Sequence, residues 1–220
     1  MRSLAIAAGA LLVLASSVPA DILWSQTYNT SSSGGYITAQ DSPDAPELDC
    51  LEFDDFTVPS PGWLITRVTL YGEDWGSSAL NQAVQLAFPS DHDQGAITTT
   101  YSGTEVGSDL VFDLPYVGLL PGSHWVTGWV QRDWGSGLSC WYWGCHDPVE
   151  GDSEAWFQNP GGGFMLGTSP LKLSDEHLFG TPLDMGFTLE GEVGVPEPCT
   201  LALVVCGGLA GMVVRRRRRS

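Results

Sequence analysis

The fold is decided by short alternating stretches, of which the clearest is WLITRVTLY, residues 63–71. Successive side chains of a β-strand point to opposite faces, so an alternation of apolar and polar residues predicts a strand with one buried face. Leu64, Val68 and Leu70 are expected to share that face with Thr66.

Similar stretches extend from this strand toward both ends of the interior, separated by clusters of Gly, Pro, Asn, Asp and Ser. They predict a single all-β domain, an antiparallel β-sandwich or jelly roll. The best helix candidate, residues 174–179, is short. The predicted strands are 22–27, 36–39, 51–58, 63–71, 83–88, 97–101, 110–114, 124–131, 140–143, 155–158 and 185–189.

The interior is strongly acidic. Of the nine basic residues only Arg67, Arg132 and Lys172 lie between residues 21 and 194, against 25 acids, which gives a formal charge of −22. Such a surface repels phosphate backbones, so nucleic acid is not an expected partner. The chain is nevertheless 43% hydrophobic with nine tryptophans, and therefore has the apolar area that a folded core requires.

The first 20 residues have the three parts of a secretory signal peptide. Arg2 supplies the positive start, residues 4–14 are an apolar run, and Val18-Pro19-Ala20 places small residues at −3 and −1 of a cleavage site. We expect signal peptidase to release a mature chain that begins at Asp21. The alternative is an uncleaved anchor, although an 11-residue apolar run is short for a membrane span.

The last 26 residues contain a Pro-rich motif, an uncharged run at 199–214 and a basic end. A 16-residue helix would be about 24 Å long, against roughly 30 Å for the hydrocarbon core, so its basic flank decides the interpretation. Arginines that stop transfer stay in the cytoplasm, which predicts a transmembrane helix with the domain outside. The motif is Val195, Pro196, Glu197 and Pro198, and the membrane stop is Arg215, Arg216, Arg217, Arg218 and Arg219.

This tail, residues 195–220, resembles a PEP-CTERM sorting signal, whose module is also labelled an ice-binding protein C-terminal domain, a name that describes the tail alone. The resemblance implies recognition by an exosortase-type membrane transpeptidase, transient anchoring in the inner membrane, and delivery to the cell surface or extracellular matrix. A weaker resemblance is to sandwich domains common in such proteins, and it rests on residues 54–59, 63–68, 71–72, 121–122, 125–126 and 184–191. A plain C-terminal anchor is the alternative for the tail.

Three cysteines fall in the interior: Cys50, Cys140 and Cys145. Export places them in an oxidising compartment, where an odd number leaves at least one unpaired. We favour a Cys140–Cys145 disulfide around a turn at Gly144, while pairing of Cys50 with either partner stays open. Zinc at Cys140, Cys145 and His146 lacks a second pair of ligands.

No cofactor is expected, with one open alternative. Asp91 and Asp93 could provide oxygen ligands for a structural Ca²⁺, although the segment does not continue as a full calcium loop. The sequence contains neither an HExxH nor a Gly-x-Ser-x-Gly motif, and we expect no catalysis.

Aromatic residues are dense between 125 and 157. Trp134, Trp141 and Trp143 are candidates for stacking on sugar rings, and the alternative is that they fill the core. The leading hypothesis is an exported cell-surface or matrix protein with a structural or interaction role. The second is a carbohydrate-binding module for exopolysaccharide, and the weakest is an extracellular hydrolase, which needs two carboxylates across a cleft.

Overall fold

A computed structural model describes residues 20–28, 35–75, 81–134 and 140–194. The leader, the sorting motif, the run at 199–214 and the terminal arginines lie outside these residues. Within the described part no helix is long and apolar enough to cross a membrane. The strands are β1 Asp21–Gln26, β2 Tyr36–Thr38, β3 Gln40–Asp41, β4 Leu51–Val58, β5 Trp63–Leu70, β6 Gly72–Trp75, β7 Ala83–Ala87, β8 Tyr101–Ser102, β9 Thr104–Val106, β10 Asp109–Leu119, β11 Gly122–Gln131, β12 Cys140–His146, β13 Trp156–Gln158, β14 Leu171–Lys172, β15 Asp184–Met185 and β16 Phe187–Val193.

The strands form three sheets. Their orders are β1-β16-β5-β10-β9, then β14-β13-β4-β11-β7-β8 with β3 on β11, and β15-β12-β2 with β6 also on β12. Every named pair is antiparallel except β3 with β11. The all-β antiparallel prediction is confirmed, and the arrangement is consistent with a β-sandwich. The described residues include two complete 3₁₀ turns, Pro46–Leu48 and Gln94–Ala96. The predicted helix at 174–179 is wrong, because that segment forms turns and bends.

The first and last strands are neighbours. β1 pairs with β16, and Asp21 lies opposite Gly191. Because the pair is antiparallel, the start of β1 and the end of β16 lie at the same end of their sheet.

The alternation in residues 63–71 is interrupted by a bulge. Arg67 pairs with Glu190, whereas Ile65 pairs with Gly191, so Thr66 is an extra residue in β5. A bulge reverses the face of every side chain beyond it. Leu64 is therefore half-buried and does not share the face of the buried Val68 and Leu70, contrary to the strict alternation.

Glycine is required opposite this bulge. A Cβ on Gly191 would lie far inside van der Waals contact with the carbonyl oxygen of Leu64. The backbones of β16 and β5 approach closely here because position 191 has no side chain.

β4 is buried on both faces. Every residue from Leu51 to Val58 except Thr57 is buried, because β11 and β13 flank the strand and other layers cover it. Phe56 is fully buried at the centre of an aromatic cluster. Its ring centroid lies 5.8–6.3 Å from those of Trp24, Trp63, Phe88, His124 and Phe187.

We expect Phe56→Ala to lower the free energy of unfolding by about 3–5 kcal/mol, because it removes a buried ring and leaves a cavity. Leu120→Ala is the matched control, since Leu120 is 66% exposed, and its effect should stay within about 0.5 kcal/mol. Urea denaturation of both variants measures the difference. Equal effects would contradict the central role of Phe56.

Candidate functional site

Two of the three tryptophans predicted to stack on sugars are in the core. Trp141 and Trp143 are 0% exposed, and their indole N–H groups donate to the carbonyl oxygens of Ser108, at 2.8 Å, and Gly186, at 2.7 Å. Both side chains pack in the hydrophobic core, which leaves them no open surface. The glycan-stacking prediction is therefore wrong for Trp141 and Trp143.

Trp134 is half-buried and lies apart from that core. Its ring makes an edge contact with Phe164 at 6.1 Å between centroids, and its backbone N–H donates to Asp44. The structure thus separates Trp134 from the two residues with which it was grouped.

The structure does not contain the predicted Cys140–Cys145 disulfide. Cys50, Cys140 and Cys145 are free and buried. The two cysteines of the predicted bond lie five residues apart on the continuous strand β12, so their Cα atoms are roughly 16 Å apart, whereas a disulfide needs less than about 7 Å. Gly144 does not form the expected turn, because it lies in the strand, where the ring of Tyr28 packs against its backbone.

Asp91 and Asp93 already accept hydrogen bonds from their own segment. Asp91 Oδ1 accepts from the backbone of His92 and lies 2.7 Å from its Nδ1. Asp93 Oδ1 caps the 3₁₀ turn by accepting from the N–H of Gly95 at 2.6 Å. Across the described residues no three His, Cys, Asp or Glu side chains are grouped to hold a metal ion. The calcium hypothesis gains no support from this geometry.

A row of aromatic rings runs from β11 to β13. Trp125 lies 5.0 Å from the ring of His92, which in turn stacks on Trp156 at 4.0 Å. Lys172 Nζ lies 5.4 Å from the centre of the Trp156 ring and completes this end of the row. Trp129 follows Trp125 by four residues on β11, so the two side chains lie on the same face of the strand, and Trp129 is half-buried.

Next to Trp129 is a cavity of about 320 Å³. It lies where β3 runs parallel to β11, with Gln40 opposite Val130, and where Gln40 also bridges to Cys50 just before β4. We call it the corner cavity. Its walls are formed by Gln40, Asp41, Asp49, Leu51, Gln94, Ile97 and Trp129.

The sequence drew attention only to Trp129 among these residues. Asp41 and Asp49 come from separate segments, and Gln94 comes from a third. Their approach depends on the parallel pairing of β3 with β11, which connects strands far apart in the chain. No local spacing in the sequence could have indicated this grouping.

A second group of polar side chains is fully enclosed and holds the fold together. Asp54, which is 0% exposed, accepts hydrogen bonds from the Gln26 amide, from the backbone N–H of Met185 and from that of Asp55. Asp55 accepts from the backbone of Asp152 and from Ser153. Asp54 and Asp55 therefore connect β1, β15 and the loop at 150–153 to β4.

Burial shifts the protonation of this group. Desolvation, with the charges of Asp55 and Glu150 adding to it, raises the pKa of Asp184 to about 8. Burial, with the Asp184 carboxyl next in importance, also raises the pKa of Asp54. Asp184 Oδ1 has no hydrogen-bond partner among the described residues, which adds to the cost of ionising this buried carboxyl group.

We expect the domain to lose stability as pH rises from about 4 to about 8. In this window the unfolded chain has released the Asp184 proton while the folded protein still holds it, so raising the pH favours the unfolded state. Mutual repulsion of the many acids adds to the same trend. Thermal midpoints across this range should fall.

Asp184→Asn should flatten the decline, because the amide cannot ionise, whereas the exposed control Glu192→Gln should keep it. An unchanged slope in Asp184→Asn would exclude Asp184 as the group responsible.

Comparison with known proteins finds a structural similarity but no family. No family model matches the chain, and no curated protein matches it. The chain is similar to the crystal structure of the cysteine protease and lectin-like domains of Cwp84, a surface layer associated protein of Clostridium difficile, with a TM-score of 0.48 and 5% identity. The match covers 66% of this chain and 32% of that one, so it spans about a third of that protein's structure. A likeness of this degree assigns neither a family nor a function to the chain.

Proposed function

We propose that the chain is an exported cell-surface or extracellular-matrix protein. In this proposal the β-domain at 21–194 is delivered by the C-terminal sorting signal and has a structural or interaction role without catalysis. Signal peptidase and an exosortase-type transpeptidase are its processing partners. The anchor at 199–214 holds it in the inner membrane, with the domain outside, until release.

One observation carries this proposal: the folded strands end where the two processing signals begin. β1 starts at Asp21, directly after the small residues of the predicted cleavage site, and β16 ends at Val193, two residues before the Val195-Pro196-Glu197-Pro198 motif. A domain folded between these limits loses no strand when either signal is removed.

The position of the two ends agrees with a tethered state. Asp21 and Gly191 face each other, so the first described strand begins and the last one ends at the same end of a sheet. A domain attached in this way can fold outside the membrane while both attachments face the bilayer. Proline resists helix formation, so the sequence of the motif suits a transpeptidase that binds an extended substrate.

The charge distribution supports the same role. A formal charge of −22 over 21–194 keeps the domain soluble outside the cell, and the five arginines at 215–219 remain on the cytoplasmic side. Among the noncatalytic roles, sugar stacking through Trp141 and Trp143 is not part of the proposal, because both side chains are buried.

Replacing Pro196, Glu197 and Pro198 together by alanine should leave the full-length chain in the envelope fraction. The wild-type chain should appear shorter and in the surface or extracellular fraction. The physical reason is that three alanines favour helix through the motif and remove the extended segment. Immunoblots of fractionated cells that produce the protein and its cognate transpeptidase measure the distribution.

Glu192→Ala, an exposed change just before the motif, is the control and should be released as the wild type is. Unchanged release of the triple-alanine variant would refute sorting by this motif. N-terminal sequencing of the released protein should give Asp21, and retention of Met1 would refute export by a cleaved signal peptide.

A further inference from the structure

We propose that the corner cavity binds an amino-sugar residue of a polysaccharide. Trp129 contacts the sugar ring, and the carboxylates of Asp41 and Asp49 accept hydrogen bonds from its ammonium and hydroxyl groups. This inference goes beyond export and sorting, and it depends on neither.

The cavity has the size and composition of a small-ligand site. Its volume of about 320 Å³ lies at the lower end of the range of roughly 300–1,000 Å³ for ligand pockets. Leu51, Ile97 and Trp129 provide an apolar wall, and the polar residues Gln40, Asp41, Asp49 and Gln94 line the same space. An apolar wall with a few placed polar groups suits a ring that has an apolar face and polar edges.

The polar groups of the cavity are mainly acceptors. Asp41 Oδ2 accepts from the Gln131 amide at 2.8 Å, and Asp49 Oδ1 accepts from the backbone N–H of Ser42 at 2.7 Å. Each carboxylate has a second oxygen, which can accept a hydrogen bond from a ligand. The residues found to line the cavity include no Lys or Arg, so a ligand rich in donors fits it and an acidic ligand does not.

Gln40 adds a buried acceptor without a partner. Its side chain is 0% exposed, and its amide nitrogen donates to Ser42 Oγ at 3.1 Å and to the carbonyl oxygen of Arg132 at 3.3 Å. A carbonyl can only accept, which fixes the orientation of the amide. Oε1 is buried without a hydrogen-bond partner among the described residues, and Gln40 lines the cavity, so the proposal assigns this acceptor to a donor group of the ligand.

The electrostatics favour a ligand with a positive charge. Burial raises the pKa of Asp49 to about 6, with the charges of Asp41 and Glu47 adding to the effect, so at pH 7 this carboxylate is ionised in unfavourable surroundings. An ammonium group neutralises the carboxylates and forms charge-assisted hydrogen bonds, which a neutral hydroxyl does not match. The face of a tryptophan ring also attracts a cation.

The test is a titration of the full-length protein, purified in a detergent without a sugar head group. The probes are a β-1,4-linked glucosamine tetramer, its N-acetylated counterpart and cellotetraose, with tetralysine as a control for charge alone. Calorimetry at pH 7 and 0.15 M salt limits nonspecific attraction to the acidic surface. We expect the glucosamine tetramer to bind at least about tenfold more tightly than any other probe.

Asp49→Asn should weaken glucosamine binding by about tenfold or more, because it removes the charge while keeping an acceptor for the Ser42 N–H. Trp129→Ala should have an effect of similar size, and Trp129→Phe a smaller one. Trp134→Ala is the matched control, since Trp134 is also half-buried but does not line the cavity, and it should leave binding unchanged. Thermal midpoints identify any variant that fails to fold, and Asp49→Asn is the decisive one if Trp129→Ala does.

Three results would overturn the proposal. The first is the absence of binding by the glucosamine tetramer. The second is equal binding of the glucosamine and neutral tetramers with no effect of Asp49→Asn. The third is equal binding of tetralysine that Trp129→Ala leaves intact, which would show attraction by surface charge alone. None of these results bears on release of the chain by its sorting motif, so this proposal can fail independently of the proposed function.

Discussion

The structure depends on the burial of β4 together with the carboxylates that it carries. A strand buried on both faces is normally apolar throughout, and Asp54 and Asp55 are tolerated here because other segments donate hydrogen bonds to them. Those donors come from β1, from β15 and from the loop at 150–153. A few buried acceptors thus set the positions of segments that are more than a hundred residues apart, and Phe56 on the same strand centres the aromatic core.

The beginning of β4 produces the corner cavity by the same constraint. β4 lies between β11 and β13, and Cys50, the residue before it, forms a backbone bridge with Gln40. Gln40 is the first residue of β3, which runs parallel to β11. A two-residue strand cannot fill the corner, so space remains between Trp129 and the segment that carries Asp49. The cavity is a consequence of how the sheet ends, and its acidic and aromatic lining gives it a ligand preference.

The pairing of β1 with β16 links the fold to the two ends of the chain. Because these strands are neighbours, the proposed cleavage sites lie outside one end of a completed sheet. Removal of the leader or the tail then leaves the pairing of β1 with β16 in place. Such an arrangement suits a domain that is tethered during export and free afterward.

The sequence by itself determined the all-β class, because period-two alternation is a local property that each segment carries alone. It also determined the acidic interior and the predicted export signals, since charge and hydropathy depend on composition and order along the chain. Tertiary structure decided which side chains are buried. The bulge at Thr66 reversed a face, Trp141 and Trp143 became core, and β12 ran straight through Gly144 and separated two cysteines expected to pair. Each of these outcomes depends on partner strands distant in the sequence, and so does the grouping of Asp41, Asp49 and Trp129. The physical reason is that neighbours in space determine which side chains are buried and which lie close together, and local sequence patterns do not identify those neighbours.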